Sequence, residues 1–251
     1  MKRILFFIYA FLVVLMYSCQ QSTNNIRVSE GRDSILSSCG EVLVERLDTN
    51  GLIVLFPSFS SIDLRCGNIP QTSDKNVVLF AEAAYTGAPL QKNFSHNKIA
   101  GDHVSNGVRF KGYKCSRNTG AFVYYSDKWK FLYGVYSSEL DSAANNGGSA
   151  FAQEMIIHKN EIKPTARKDG NVNTFRALCE LDGRLCIIES INDVKFGDFK
   201  STLLEIGVSE ALYLDMGSGW NYAWYRVNEE TIVGLHPKVH DYCTNWITFY
   251  K

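Results

Sequence analysis

Little in this chain marks a linker, a repeat or a charge-driven partner. Only five of its 251 residues are proline, and no Pro/Ser-rich stretch interrupts it, which argues against two domains on a flexible tether. No segment repeats at a fixed period, which argues against solenoids and propellers. Basic and acidic side chains balance at 26 each, with no basic tail or stripe, so nucleic acid is not an expected partner. No Cys-x-x-Cys pair or Cys/His finger spacing appears, which argues against structural zinc. The long uncharged apolar run is confined to the N-terminus.

That run reads as an export signal. Lys2 and Arg3 precede an uncharged stretch from Ile4 to Met16, and Tyr17-Ser18-Cys19 closes it. It is too short and wrongly flanked for a spanning helix. A small residue just before a cysteine resembles a bacterial lipobox. By that resemblance residues 1–18 are a signal peptide, Cys19 is lipidated, and residues 19–30 are a polar tether. Plain secretion with cleavage nearby is the other reading. The expectation is an exported lipoprotein of the outer membrane or periplasm, touching membrane only through its anchor. Losing Lys2 and Arg3 leaves 24 basic against 26 acidic side chains, a net of about −2. Residues 31–251 then read as one domain.

Turn residues and apolar periodicity point to sheet. Val42–Leu47 and Leu52–Phe56 flank Asp48-Thr-Asn-Gly51 as a hairpin. Val77–Tyr85 reads as a buried strand. Val108–Cys115, Ala121–Tyr125 and Trp129–Tyr133 follow, the last two joined at Ser126-Asp127-Lys128. Ala152–His158 and Glu161–Lys163 turn at Lys159-Asn160. Ser137–Asn146 reads as a helix with Ser138 and Asp141 as its cap and Gly147-Gly148 as its stop. Phe196, Phe199, Leu203 and Ile206 place one apolar stripe on a second helix. Ala211–Leu214, Thr231–Leu235 and Asn245–Tyr250 complete the strands. The expected class is α+β, a mostly antiparallel sheet core with a few packed helices.

Besides Cys19 the cysteines are Cys39, Cys66, Cys115, Cys179, Cys186 and Cys243. Counting outward from Asp182-Gly183 puts Leu181 opposite Arg184, Glu180 opposite Leu185 and Cys179 opposite Cys186. A hydrogen-bonded pair has Cα atoms about 5.5 Å apart. That permits a disulfide, but the side-chain directions are poor, and two buried free thiols are the favoured reading.

Ala211-Leu-Tyr-Leu-Asp-Met-Gly-Ser-Gly-Trp-Asn-Tyr-Ala-Trp-Tyr-Arg226 is the most informative stretch. An apolar strand delivers one acid, Asp215, to the start of a glycine-bearing loop, Met216–Gly219. Trp220, Tyr222, Trp224 and Arg226 follow. Arg176-Ala177, Asp182-Gly183, Phe199–Gly207 and Leu214-Asp-Met-Gly-Ser-Gly219, in that order, resemble the phosphodiester glycosidase family. Phe80-Ala-Glu-Ala-Ala-Tyr85, Ile99-Ala-Gly-Asp-His-Val104 and Asn106-Gly107 resemble its N-terminal half. With Thr244-Asn245-Trp246 the whole looks most like a subgroup of lipoproteins from gut Bacteroides-type bacteria. Met216, and glutamate and alanine where Asn-Gly is common, depart from the family pattern.

The resemblance implies hydrolysis of sugar-1-phosphodiester linkages of glycans or envelope polymers. Such chemistry needs a carboxylate at the anomeric carbon and a cation or amide cradle for phosphate. Asp215 fits the first need, with Gly217 allowing close backbone approach. Arg176 fits the second, or else pairs with an acid such as Asp215. Glu82 lies in an apolar strand, where burial would raise its pKa and suit acid/base work; otherwise it points to an exposed sheet face. Asp102 and His103 sit between glycines and would position phosphate, or form an Asx turn. Glu154 is a weaker candidate of the same kind. Ser218 has no Gly-x-Ser-x-Gly elbow and serves at most as a hydrogen-bond donor. Trp220 would stack on a sugar, or pack in the core. His236, His240, Asp241 and Cys243 invite a metal, but Pro237 disrupts the helix that would align the histidines, so no metal ligands are assigned. No cofactor is expected, and a divalent cation at the phosphate stays open. The expected partner is a carbohydrate phosphodiester. The rival functional reading is a glycan-binding lipoprotein without turnover, and behind it a structural envelope protein.

Overall fold

Five two-residue turns govern the architecture. Asn50-Gly51, Asn106-Gly107, Ser126-Asp127, Lys159-Asn160 and Asp182-Gly183 all carry positive φ at both positions, the backbone that joins neighbouring antiparallel strands without splaying them. In a computed structural model the described residues are 41–86, 94–217, 221–236 and 244–251. The expectations for residues 1–30, including Cys19, lie outside them.

The largest sheet contains β1 (Val44–Thr49), β2 (Leu52–Pro57), β10 (Met155–His158), β11 (Glu161–Ile162), β13 (Arg176–Leu181), β14 (Arg184–Ser190) and β16 (Val208–Leu214). Its order is β1-β2-β14-β13-β16-β10-β11. A second sheet contains β3 (Ser61–Cys66), β4 (Val77–Glu82), β17 (Ala223–Arg226), β18 (Ile232–His236) and β19 (Asn245–Tyr250), in the order β18-β17-β4-β19-β3. A third contains β5 (His103–Ser105), β6 (Val108–Phe110), β7 (Gly120–Tyr125), β8 (Lys128–Tyr133) and β9 (Ser149–Gln153), in the order β6-β5-β9-β7-β8. β12 (Val172–Asn173) and β15 (Val194–Lys195) form a short ribbon.

Leu178, Ile187 and Leu212 from the first sheet share one core with Leu79, Ala81 and Ile247 from the second and Phe122 and Phe151 from the third. The outer face of the first sheet is covered by α2 (Phe196–Glu205), whose Phe196, Phe199 and Leu203 are buried as the stripe predicts. The third sheet is covered by α1 (Ser137–Asn145) through Leu140 and Ala143.

The α+β expectation is overturned: the fold is mostly β. Among the described residues its two α-helices have nine and ten residues, and each lies as a cover on one sheet face rather than forming a layer. β3 accounts for part of the difference. Its alternation of exposed and covered positions, with Ile62 and Leu64 turned inward, is a strand that the sequence reading did not contain. The Ser138/Asp141 cap is also absent. Tyr136 holds the cap position with no side-chain hydrogen bond, because Asp141 takes Arg109 instead. Among the described residues no helix is long and apolar enough to cross a membrane.

The Asp182-Gly183 hairpin has the register counted from sequence, Cys179 facing Cys186. Both thiols are free and buried, and the Cys186 thiol points to the Cys179 carbonyl at 3.7 Å.

Candidate functional site

β16 ends by delivering Asp215 into the protein rather than to water. Its N–H donates to the Ala83 carbonyl at 3.1 Å, which ties the end of β16 to the end of β4. The side chain is 8 % exposed. Burial pushes its pKa up to about 7, while the amides of Gly217, Thr86 and Met216 and the charge of Arg167 pull the other way. The Gly217 N–H donates to Oδ1 at 3.3 Å. Met216, the departure within the loop, turns its side chain into the core with Tyr85 and Tyr213 and is 2 % exposed.

Three further groups gather by Asp215. Tyr85 follows β4, and its ring lies 5.8 Å from that of Tyr213. Arg167 stacks 4.8 Å above the Tyr213 ring and donates Nη2–H to the Tyr213 hydroxyl at 3.2 Å. Glu154 is buried between β9 and β10, and its Oε1 accepts the N–H groups of Ala166 and Arg167. That contact pins the loop carrying Arg167. Burial raises the Tyr85 hydroxyl pKa, and the charge of Glu154 adds to it, so the phenol keeps its proton.

The hydrogen-bond inventory of this cluster is incomplete. Glu154 Oε2 and Arg167 Nε are buried and have no partner among the described residues, and the Tyr85 hydroxyl has no well-aligned one, facing only the Arg167 guanidinium. Buried polar atoms are nearly always satisfied, so these groups near a raised carboxyl group are candidates for a ligand's hydrogen bonds.

One cavity reaches the cluster at Arg167, and another lies around Tyr113. Arg167 lines the first, of about 560 Å³, together with Lys163, Lys168 and Lys200. The other, about 360 Å³, is lined by Arg109, Lys111, Lys114, Asn118 and Tyr113. The Tyr113 hydroxyl is pushed up to about 12 by burial, with the Cys115 and Asp215 charges adding to it, which places this cavity within electrostatic reach of Asp215. Both Asn118 side-chain polar atoms are buried and unpartnered among the described residues. Lys163, Lys200 and Arg109 hold Glu161, Asp169 and Asp102, so the cation acting on Asp215 is Arg167, a pairing that suits an anionic, hydroxyl-rich ligand.

Arg176 belongs to a different constellation. Its Nε–H donates to Glu189 Oε2 at 2.7 Å, and its Nη2 donates to the Asn221 carbonyl at 3.0 Å. Glu189 Oε1 also meets His236 Nε2 at 2.6 Å. Burial works against the Glu189 anion, but Arg176 and His236 hold its pKa below the usual value. The partner of Arg176 is therefore Glu189, its cross-strand neighbour, and not Asp215.

The other expected residues disperse. Glu82 is buried, 2 % exposed, so the exposed-face reading falls. It pairs across the ladder with Trp246, and strand alternation puts it on the face of Phe80, which packs with Trp224 and Trp246. Asp102 accepts from Arg109 at 2.9 Å and lines the smaller cavity. His103, its neighbour, turns inward to Cys66 and His96. Arg226 is structural: its Nε and Nη2 donate to the carbonyls of Val77 and Thr72. Ser218, Trp220, Pro237, His240, Asp241 and Cys243 lie outside the described residues.

Sequence reasoning missed Arg167, Tyr85 and Tyr213. Tyr85 and Tyr213 stood inside stretches already quoted for their pattern. Arg167 sits in an irregular loop where no periodicity marks it.

No family model matches the chain, and no curated protein matches its sequence. Among solved structures, it is similar to the zebrafish N-acetylglucosamine-1-phosphodiester alpha-N-acetylglucosaminidase catalytic domain auto-inhibited by pro-peptide. The TM-score is 0.52, over 84 % of this chain and 83 % of that one. The two share a fold. At 11 % identity the likeness stops there, and the site must be argued from its own residues.

Proposed function

We propose that this protein is an exported, Cys19-anchored hydrolase that cleaves sugar-1-phosphodiester linkages of glycans or envelope polymers. The observation that carries the reading is the raised Asp215 carboxyl group within reach of the Arg167 charge and Tyr85, with Arg167 Nε and Glu154 Oε2 unpartnered among the described residues. The fold likeness to a phosphodiester glycosidase supports it.

In the reaction the bond between the anomeric carbon and the phosphate oxygen breaks, and its electron pair leaves with the phosphate monoester. A water oxygen bonds to the anomeric carbon, and Asp215 takes the water's proton. A phosphate monoester departs without much protonation, so one carboxylate near pH 7 meets the main demand. Arg167 offers charge to the phosphate. The Tyr85 hydroxyl donates to the substrate, and Glu154 Oε2 accepts a sugar hydroxyl. Met216 packs with Tyr85 and Tyr213 beside the cluster.

The test is a panel of N-acetylglucosamine-1-phosphodiesters, uridine-diphospho-N-acetylglucosamine included, with free sugar measured. Release should rise as pH climbs through about 7. It should fall about 10²–10⁴-fold in Asp215→Asn, the usual span for a lost general base. Arg167→Met should raise KM more than it lowers kcat. Binding without release across the panel, or release indifferent to Asp215→Asn, overturns the proposal.

A further inference from the structure

Cys66 at the end of β3, His96 in the turn His96–Lys98, and His103 at the start of β5 come together although 37 residues separate the first from the last. One ligand atom from each lies within 4.8 Å of the others. We infer that Cys66, His96 and His103 form a three-ligand site for a thiophilic divalent cation, zinc(II) by preference, with a fourth position open to water.

The donor set selects the ion. One thiolate and two imidazoles suit zinc, whereas calcium and magnesium take oxygen ligands. Zinc bonds of about 2.0–2.1 Å to nitrogen and 2.3 Å to sulfur put ligand atoms roughly 3.3–3.8 Å apart. His96 Nδ1 and His103 Nε2 stand 2.9 Å apart, so metal capture asks the two rings to part slightly.

The surroundings orient the ligands. His103 Nδ1 meets the Gly101 carbonyl at 3.2 Å. A hydrogen there fixes the tautomer with the Nε2 lone pair facing the cluster, the usual support for a metal-bound histidine. The His96 ring stacks on Phe110 with centroids 3.4 Å apart, and Phe94 packs edge-on against it at 5.0 Å. Gly67, next to Cys66, has φ +83, and a Cβ there would sit 2.8 Å from the Phe94 ring. The glycine lets the histidine turn close onto β3. His96 and Cys66 are half-buried while His103 is buried, which leaves a route for the ion from one side.

Binding would staple the second sheet to the third, since Cys66 lies on one and His103 on the other. It would also clamp the segment from His96 to His103. That segment bridges Thr86 through Ile99, and Ala100 N–H donates to the Tyr85 carbonyl at 2.8 Å.

The full chain, stripped with chelator and titrated with cobalt(II) alone, tests this. The expected result is a sulfur-to-cobalt charge-transfer band that saturates at one equivalent and is erased by zinc(II). Cys66→Ser should abolish the band, and Cys115→Ser should keep it. His96→Ala, which removes one of three ligands, should weaken affinity by more than the roughly 10–100-fold that loss of an outer-shell support costs. No band, a band that survives Cys66→Ser, or one lost in Cys115→Ser overturns the site.

Discussion

Glu189 and Asp215 are both buried carboxylic acids on neighbouring parts of one sheet, yet their pKa values move in opposite directions. Glu189 touches a guanidinium and an imidazole at hydrogen-bond distance, and those contacts outweigh its lost hydration. Asp215 has backbone amides and a more distant Arg167, and burial wins. Burial alone therefore does not mark a working acid. A carboxylate with cations in direct contact is a fixed anion that holds strands together. A carboxyl group without them is free to exchange its proton near pH 7.

Breaking the first member should have the largest effect. Arg176→Met leaves Glu189 charged and half its partners gone, and should cost about 3–5 kcal/mol of stability, read as a fall in the urea midpoint. A loss below 1 kcal/mol would mean His236 alone suffices.

Asp215→Asn should act in the opposite direction. The folded pKa lies above the ordinary value, so the folded state binds more protons between about pH 4 and 7. Stability in the native protein accordingly declines as pH rises through that window. Asparagine removes the decline, and should stabilise by roughly 2–4 kcal/mol at pH 8 while changing little at pH 4. Melting curves at the two pH values measure it, and equal shifts at both would refute the assignment.

Tyr85→Phe should be the mildest. Removing a hydroxyl that has no well-aligned hydrogen bond among the described residues should leave stability within about 1 kcal/mol or raise it, while substrate affinity drops. A destabilisation like that of Arg176→Met would place Tyr85 with the structural group instead.

The hairpins were readable because turn pairs such as Asn50-Gly51 and Asp182-Gly183 announce their backbone locally. The Arg176–Glu189 pair was readable too. Extending the Cys179–Cys186 register by three residues sets Arg176 opposite Glu189, although the sequence reading offered Asp215. Asp215 itself stood out as the one acid ending an apolar strand. Arg167 had no such signal, because a carboxylate thirteen residues earlier, Glu154, folds its loop into place. The class was misjudged for a similar reason. Periodicity found the helix at Phe196, and cap and stop residues the one at Ser137, but neither signal showed that each only covers a sheet, and the pairing of β3 with β19 spans most of the chain.

That pairing bears on how the molecule is made. β19 lies between β3 and β4, one strand in from the edge of its sheet, so two strands close in sequence are joined by a third from far downstream. Until Asn245–Tyr250 is in place, the facing edges of β3 and β4 lack their shared neighbour. A chain with such distant pairing gathers its native contacts late, and its half-built second sheet offers unpaired edges until then.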